Sequence, residues 1–296
     1  MSKVSIVVAT YRRDAALKNA LESLSTQTYD DFEIVLVDDN AVPEWNEKVK
    51  GIVDEFKNQH PSIDILYIVN STNQGSAKTR NIGIEASSGE YITFLDDDDI
   101  YFPSKVENQV AFMKQGEYDY SITDLRLCDE SDKLVEMRKR SYIKKTDSAE
   151  LLKYHLKYHL TGTDTMMFKK EYLLKIGAFA PIDVGDEFYL MQRAINGNGK
   201  FGYFPSCDLK AYVHTGEGGL SSGEGKIKGE NSLYDYKKTF FAELDAKTRR
   251  YVRMRHYAVI AFAYLRMKKF GGFFKNAIKS FFCAPFSAIA LFLGRK

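Results

Sequence analysis

Short apolar runs alternate with longer amphipathic stretches over about the first 125 residues. Apolar residues recur at helical spacing from Ala16 to Leu24 behind Asp14, which predicts a helix over 14–26 with Asp14 as its N-cap. Five runs rich in β-branched residues predict strands: VSIVVAT, FEIVLVD, IDILYIV, YITFLD and YDYSITD, at residues 4–10, 32–38, 63–69, 91–96 and 118–124. Strands this uniformly apolar, separated by crossover helices, predict an α/β fold with a mostly parallel central sheet and helices on both faces.

The chain beyond residue 125 has a less regular pattern. Helices are predicted at 147–160 and 186–195, and strands at 164–170 and 209–215, as a continuation of the same domain. The segment HTGEGGLSSGEGK then carries five glycines in thirteen residues and cannot hold regular structure by itself. The predicted organisation is one domain over residues 1–225 and a helical basic tail over residues 226–296.

The net charge of +2 hides an asymmetry between these two parts. The tail has 16 Lys and Arg against four Asp and Glu, whereas residues 1–225 have 26 against 36. Residues 280–294 are uncharged, but fifteen residues fall short of the roughly 20 that a spanning helix needs. We therefore predict an amphipathic segment that docks on an anionic membrane surface, with dimerisation as the alternative use of its apolar face. Nucleic-acid binding is disfavoured, because an apolar stretch within the basic tail suits lipid better.

Three widely separated cysteines provide neither a disulfide framework nor a metal-ligand spacing. The amino-terminal residues are too briefly apolar for a signal peptide. We expect a cytoplasmic protein, peripheral on the inner face of the cell membrane.

Polar residues follow the predicted strands at Thr10–Arg13, Asp38–Asn40, Asn70–Asn73 and Asp96–Asp99. Ligands of parallel sheets collect at these carboxyl ends. Four consecutive carboxylates raise one another's pKa unless a cation or solvent compensates them, so residues 96–99 are either a metal site or a solvated turn. They are not an EF-hand loop, because Tyr101 stands where the sixth-position glycine is required.

Four segments occur in a recognisable order: VVATYRR, VLVDDN, NQGSAKTRNIGIEASSGEYITFLDDDD and GDEFYLMQR. Over about residues 3–220 they resemble the family 2 glycosyltransferases, inverting enzymes of the Rossmann-like GT-A fold. The resemblance implies sugar transfer from a nucleotide donor, most often a UDP-sugar, with Mn²⁺ or Mg²⁺ at an Asp-x-Asp motif. Together with the basic tail it implies a bacterial-type enzyme of surface-polysaccharide or teichoic-acid synthesis that acts on a glycan or lipid-linked acceptor.

The Asp-x-Asp motif aligns with Asp96 and Asp98. The resemblance implies that Asp98 is the direct metal ligand and that Asp96 lies nearer the ribose or a metal-bound water. It also implies that His214 completes the metal shell or touches the diphosphate. Asp99 matches a further acidic position of the family. Asp97 occupies the variable position, and we expect it to tolerate replacement.

The resemblance also implies a nucleotide site at the first strands. Asp39 is expected to accept a hydrogen bond from the base, which favours uracil, with the adjacent Asp38 as the alternative. Lys78 and Arg80 are expected to meet the diphosphate or to hold the acidic loop. The full set of implied donor-binding residues is Thr10, Tyr11, Arg12, Asp39, Lys78, Arg80 and Asp96.

The catalytic base is expected at the start of the helix that begins with DEFYLMQR. The family usually has Glu-Asp followed by an aromatic residue, and here the pair is reversed to Asp186-Glu187. Register favours Glu187 and chemical identity favours Asp186, so both are candidates. Two acids that complement a helix dipole are the structural alternative. Arg193 is expected to pair with one of these acids.

Two other functions compete with transfer. A sugar nucleotidyltransferase should have a glycine-rich basic signature directly after the first strand, which TYRRDAAL lacks. A non-catalytic nucleotide-sugar-binding protein would keep Asp39 and Asp98 without a base, and the reversed acid pair leaves this function open. The segment containing residues 218–222 is predicted to close over the donor as a lid.

Overall fold

The computed structural model describes residues 2–182, 185–213 and 223–294. The chain forms two compact units. The first comprises Met1–Leu151 and Leu160–His214, and the second comprises Leu152–His159 and Thr215–Lys296. The boundary predicted between residues 225 and 226 stays a prediction.

Strands and helices alternate through most of the first unit. The strands are β1 (Val4–Thr10), β2 (Phe32–Asp38), β3 (Asp64–Val69), β4 (Tyr91–Asp96), β5 (Ile100–Tyr101), β6 (Tyr120–Thr123), β7 (Leu125–Cys128), β8 (Leu134–Arg138), β9 (Met166–Lys169), β10 (Phe201–Phe204) and β11 (Leu209–Tyr212). The helices are α1 (Ala15–Ser25), α2 (Pro43–Gln59), α3 (Ser76–Ala86), α4 (Lys105–Gln115), α5 (Ser148–Tyr158), α6 (Lys170–Lys175), α7 (Asp186–Asn196), α8 (Gly223–Lys238), α9 (Ala246–Arg266), α10 (Phe270–Cys283) and α11 (Pro285–Gly294). Short 3₁₀ helices lie at Thr163–Thr165 and Phe241–Glu243.

The described residues form a main sheet of seven strands in the order β10-β6-β9-β4-β1-β2-β3. Parallel pairs join β1 to β2 and β4, β2 to β3, and β6 to β10, whereas β9 runs antiparallel between β4 and β6. A second sheet has the order β5-β11-β7-β8. The predicted α/β fold with a mostly parallel central sheet is confirmed.

The central strands are buried on both faces, as their continuous apolar sequences require. On one face α1 buries Leu17, Leu21 and Leu24, and the Asp14 carboxylate accepts from the Ala15 N–H at 2.6 Å, which confirms the predicted N-cap. On α3, a methyl group at Gly83 would lie 2.5 Å from Val7 Cγ1. The small residue therefore lets α3 lie close against β1.

The second unit is helical. The Asp245 carboxylate caps α9 by accepting from the Thr248 N–H at 2.7 Å. Met254 and Ala258 of α9 pack with Ala288 of α11 in a small apolar core. None of the helices in the described ranges combines the length and the apolar character needed to cross a bilayer.

Candidate active site

The carboxyl ends of three neighbouring strands meet at one edge of the main sheet. In the parallel register Thr10 of β1 lies opposite Asp38 of β2, and Ala9 of β1 lies opposite Asp96 of β4. The residues that follow these strands are therefore close in space, as expected of a ligand site in a parallel sheet.

Three carboxylates gather at the end of β4. Asp96, Asp99 and Asp164 each offer an oxygen, and these oxygens lie within 4.8 Å of one another. The Asp96 N–H donates to Asp164 Oδ1 at 2.7 Å, and the Tyr212 N–H donates to Asp99 Oδ1 at 2.9 Å. Burial, and then the negative charge of neighbouring carboxylates, raises the pKa of both Asp99 and Asp164.

This cluster has the donor chemistry of a divalent-cation site. Mg²⁺ and Mn²⁺ prefer oxygen ligands, and three carboxylates this close, two of them buried, need a positive charge to ionise together. The residues present therefore fit the ion that the sequence resemblance implies. Asp164 joins the cluster because its 3₁₀ helix leads into β9, which pairs with β4. The sequence resemblance did not assign Asp164 to the metal site.

Asp98 lies on the other side of the same loop. Its Oδ2 is 2.7 Å from Arg13 Nη2, and it is not a member of the group within 4.8 Å. Its assignment as direct metal ligand stays a prediction, now with Arg13 as a partner. The sequence interpretation did not select Arg13, because Arg12 stands at the family position and the two arginines are adjacent.

Asp97 has more contacts than a variable position would need. It accepts from Thr10 Oγ1 at 2.7 Å and from the Tyr11 N–H at 3.2 Å, which ties the acidic loop to the end of β1. Burial raises the pKa of Asp97 to about 7. These contacts argue against the expectation that Asp97 tolerates replacement.

Arg80 joins the acidic loop to the start of α7. Its Nη2 lies 2.6 Å from Asp96 Oδ1, and its Nη1 lies 2.8 Å from Asp186 Oδ2. The guanidinium also lies over the Phe179 ring, 5.5 Å from the centroid. A fork held on two carboxylates is rigid, so Arg80 fixes the spacing between the acidic cluster and the acid pair.

The two acids at the start of α7 differ in environment. Asp186 is buried and accepts from Ser76 Oγ at 3.0 Å and the Glu187 N–H at 2.9 Å, besides Arg80. Burial, and then the neighbouring Asp186, raises the pKa of Glu187 to about 8. Glu187 therefore has the properties of a proton acceptor that works near neutral pH.

Arg193 does not pair with either acid in the described part of the site. Its Nη1 donates to the Gly177 and Ala178 carbonyls at 2.6 and 3.0 Å, so that prediction is wrong. These carbonyls belong to a turn in which both Gly177 and Ala178 have positive φ. Such carbonyl contacts depend on long-range packing that sequence spacing does not reveal.

The carboxylates of Asp39 and Asp38 accept hydrogen bonds that position the loops after β2. The Asp39 carboxylate accepts from the Asn70 amide and from the Gln74 and Gly75 N–H groups at 2.7–2.9 Å, which positions the N-terminus of α3. Asp38 accepts instead from three side chains, Asn40, Asn46 and Tyr67.

The remaining predicted residues are spread around this edge. Thr10 is buried at the end of β1, and the exposed Tyr11 ring lies 5.2 Å from the Arg12 guanidinium carbon. Arg12 has φ 52°, and its N–H donates to Asn40 Oδ1 at 2.7 Å. Lys78 is exposed on α3. His214 and the predicted lid at 218–222 lie outside the described residues.

The fold and site define an α/β protein with an acidic ligand site at the carboxyl edge of its sheet. The family model of glycosyl transferase family 2 matches residues 5–177. An uncharacterised glycosyltransferase of Methanocaldococcus jannaschii, MJ1057, is 30% identical over 236 residues, which are 79% of this chain and 77% of that protein. The chain belongs to glycosyl transferase family 2 and is a glycosyltransferase.

Other relatives match shorter regions. An uncharacterised glycosyltransferase of Rickettsia bellii is 33% identical over 135 residues, which are 46% of this chain and 18% of that protein. The Escherichia coli protein WfaP, a UDP-Glc:α-D-GlcNAc-diphosphoundecaprenol β-1,3-glucosyltransferase, is 31% identical over 125 residues, 42% of this chain and 46% of WfaP.

Two solved structures share the fold. S. aureus TarS in complex with UDP-GlcNAc superposes with a TM-score of 0.62 at 16% identity, over 95% of this chain and 91% of the TarS chain. The mannosyltransferase PcManGT of Pyrobaculum calidifontis, in complex with GDP-Man and Mn²⁺, gives 0.55 at 16% identity, over 98% of this chain and 78% of its own. The predicted GT-A fold is thereby confirmed.

Proposed function

We propose that this protein is an inverting, metal-dependent glycosyltransferase that moves a sugar from a UDP-sugar to a hydroxyl of a glycan or lipid-linked acceptor in cell-surface polysaccharide synthesis. The observation that most supports the proposal is the position of the Arg80 guanidinium. It contacts Asp96 of the acidic cluster and Asp186 of the acid pair at the same time. A cation site and a proton acceptor are thus held in one constellation, as transfer from a nucleotide sugar requires.

The metal would be held by Asp96, Asp99 and Asp164, and Asp98 of the same loop would be held by Arg13, which follows β1. Mn²⁺ or Mg²⁺ bound there would neutralise the charge that develops on the departing diphosphate. His214 remains a proposed additional ligand.

The donor would lie along the ends of β1 and β2. Tyr11 and Arg12 offer an exposed aromatic ring and a cation for the base and phosphates, with Thr10 behind them. Asp39 holds the Gln74 and Gly75 N–H groups, so it would shape the base pocket, and Lys78 would approach the diphosphate from α3. The UDP-Glc donor of WfaP and the UDP-GlcNAc bound to TarS support UDP, whereas GDP-Man in PcManGT makes a GDP-sugar the alternative.

Glu187 would act as the base. Inversion requires in-line attack by the acceptor oxygen, whose proton passes to a carboxylate on the face opposite the leaving group. Asp186 is occupied by Arg80, Ser76 and the Glu187 N–H, so it would orient the helix start while Glu187 takes the proton.

The acceptor would be presented at the inner face of the cell membrane. The cationic tail supports this location, and so does WfaP, whose acceptor is a diphosphoundecaprenol-linked sugar. In this location the enzyme would be cytoplasmic and peripheral.

The proposal is tested by nucleotide release from a panel of UDP-sugars and GDP-mannose with and without Mn²⁺. We expect one UDP-sugar to give Mn²⁺-dependent UDP release. Asp164→Asn should lower that release at least about 100-fold, because a cation ligand acts directly on the leaving group. The matched variant Asp30→Asn changes an exposed aspartate of the loop before β2 and should behave as wild type.

Binding of no nucleotide sugar would contradict the proposal. Donor binding without turnover on any acceptor extract would favour the non-catalytic binding protein, and release of pyrophosphate from a nucleoside triphosphate and a sugar phosphate would favour a nucleotidyltransferase.

A further inference from the structure

The last two helices expose an apolar surface. Its exposed side chains recur three to four residues apart on α10 and continue onto α11, so they share one side of each helix. We call this surface the phenylalanine face: Phe270, Phe274, Ile278, Phe281, Phe282, Phe286, Ile289 and Leu293. Phe282 and Phe286 are 74% and 89% exposed, values that are rare for such large apolar side chains.

The other side of these helices is packed within the same unit. Ser280 is buried, and its hydroxyl donates to the Met254 carbonyl of α9 at 2.9 Å. Gly272 lies against the Tyr264 ring, where a methyl group would be 2.6 Å from ring carbons. The inner side of these helices is thus packed against α9. The phenylalanine face is a separate, solvent-exposed apolar surface on their other side.

The charges on the helices of this face are positive, and the acidic Glu224 of α8 pairs with Lys269 at 2.6 Å beside Phe270. Residues 246–296 contain twelve Lys and Arg and no Asp or Glu. Lys268 and Lys275 are exposed beside the phenylalanine face, and Lys279 lies 5.3 Å from the Tyr257 ring centroid. An exposed apolar strip bordered mainly by cations is complementary to a surface that is apolar inside and anionic outside.

We propose that the phenylalanine face is a docking surface for an anionic lipid bilayer, in which the rings enter the acyl boundary while Lys268 and Lys275 remain among the headgroups. A second copy of the chain fits less well, because an isologous contact would bring the same positive charges together. The proposal goes beyond sugar transfer and does not depend on which donor or base the enzyme uses.

Vesicle flotation of the full chain tests the proposal. We expect wild type to float with phosphatidylglycerol–phosphatidylcholine vesicles and to bind pure phosphatidylcholine vesicles or high-salt samples much more weakly. The double variant Phe282→Ser/Phe286→Ser should bind anionic vesicles at least about tenfold more weakly, because two buried rings are lost. Lys275→Gln should weaken binding about fivefold, the effect of one cation near the surface.

Leu134→Ser/Val135→Ser is the matched control, since it replaces two exposed apolar residues of β8 in the other unit. It should float as wild type, and circular dichroism should be unchanged for every variant. The proposal is overturned if wild type does not float with anionic vesicles, or if the phenylalanine double variant floats equally well. A dimer in sedimentation equilibrium that the same double variant dissociates, without vesicle binding, would instead place a second copy on this face.

Discussion

Arg80 is the residue on which the site most depends. Two carboxylates from different segments, Asp96 and Asp186, are held by its two terminal nitrogens. The Arg80 side chain is only 11% exposed, and without its guanidinium the buried Asp186 would be left as an uncompensated charge.

We predict that Arg80→Ala lowers transfer about 100-fold or more and that Arg80→Lys, which keeps the charge without the fork, recovers part of it. The Arg80 charge lowers the pKa of Glu187, so its removal should move the alkaline rise of the pH–rate profile to higher pH. Steady-state rates from pH 6 to pH 10 measure both effects. The control is Arg138→Ala, which changes an exposed arginine of β8. An Arg80→Ala variant whose pH–rate profile is not shifted would contradict the role proposed for Arg80.

The residues of the site were predictable from sequence in different degrees. Asp96, Asp186 and Glu187 could be selected because each lies at a recognisable element boundary, and Arg80 joins Asp96 to Asp186, whereas their roles stay predictions. Asp164 was not selected as part of the acidic cluster, because its place depends on the antiparallel insertion of β9 beside β4. The expectation for Arg193 failed because its partners are backbone carbonyls, which no side-chain pattern records.

At the scale of elements, one buried carboxylate joins the beginnings of three strands. Glu33 of β2 accepts from Ser5 Oγ of β1 and from the Ser88 N–H, each at 2.5 Å, and it pairs with Lys3 at 2.8 Å. Ser88 precedes β4, so these bonds connect β1, β2 and β4 at the edge opposite the active site. Burial alone would raise the pKa of Glu33, but Lys3 and the serine donors lower it to about 2.

We predict that Glu33→Gln lowers the free energy of unfolding at pH 7 by about 1–3 kcal/mol, because the amide cannot satisfy all of these donors. The folded-state pKa lies below the unfolded value near 4.5, so the stabilisation is present above pH 4.5 and is lost as the pH falls toward 2. The difference between variant and wild type should therefore shrink in acid. Urea unfolding at pH 7 and pH 3 measures this difference in the free energy of unfolding. The control is Glu47→Gln, which changes an exposed glutamate of α2. A difference that is the same at both pH values would contradict the pKa shift of Glu33.

The elements themselves were largely predictable. Five strands of the main sheet, β1 to β4 and β6, and the helices α1, α5 and α7 appear at the predicted positions. Among the pieces not placed individually are the two-residue β5 and the exposed β8 of the second sheet. Their pairing is set by partners far along the chain, and a two-residue strand has no period to detect.

At the scale of the whole molecule, the chain combines two units of different character. One is an α/β unit whose acidic site lies at the carboxyl ends of its strands, and the other contains the cationic helices with the phenylalanine face. The charge asymmetry in the sequence anticipated this difference. Composition alone did not show that α10 and α11 would pack one side on their own unit and leave the other exposed.

The central claim is that Glu187 is the base of a metal-dependent sugar transfer, with Asp186 as its positioning neighbour. The most direct measurement is single-turnover transfer from bound donor as a function of pH, in wild type, Glu187→Gln and Asp186→Asn. A base with a pKa near 8 is protonated below that pH, so the wild-type rate should rise as the pH passes through about 8.

We expect Glu187→Gln to bind the donor with wild-type affinity, to transfer the sugar about 100- to 10,000-fold more slowly and to lose the alkaline rise. Asp186→Asn should retain the rise with a smaller loss of rate. Transfer at the wild-type rate by the Glu187→Gln variant would contradict the assignment of Glu187 as the base. So would a result in which Asp186→Asn is the only variant to lose the alkaline rise.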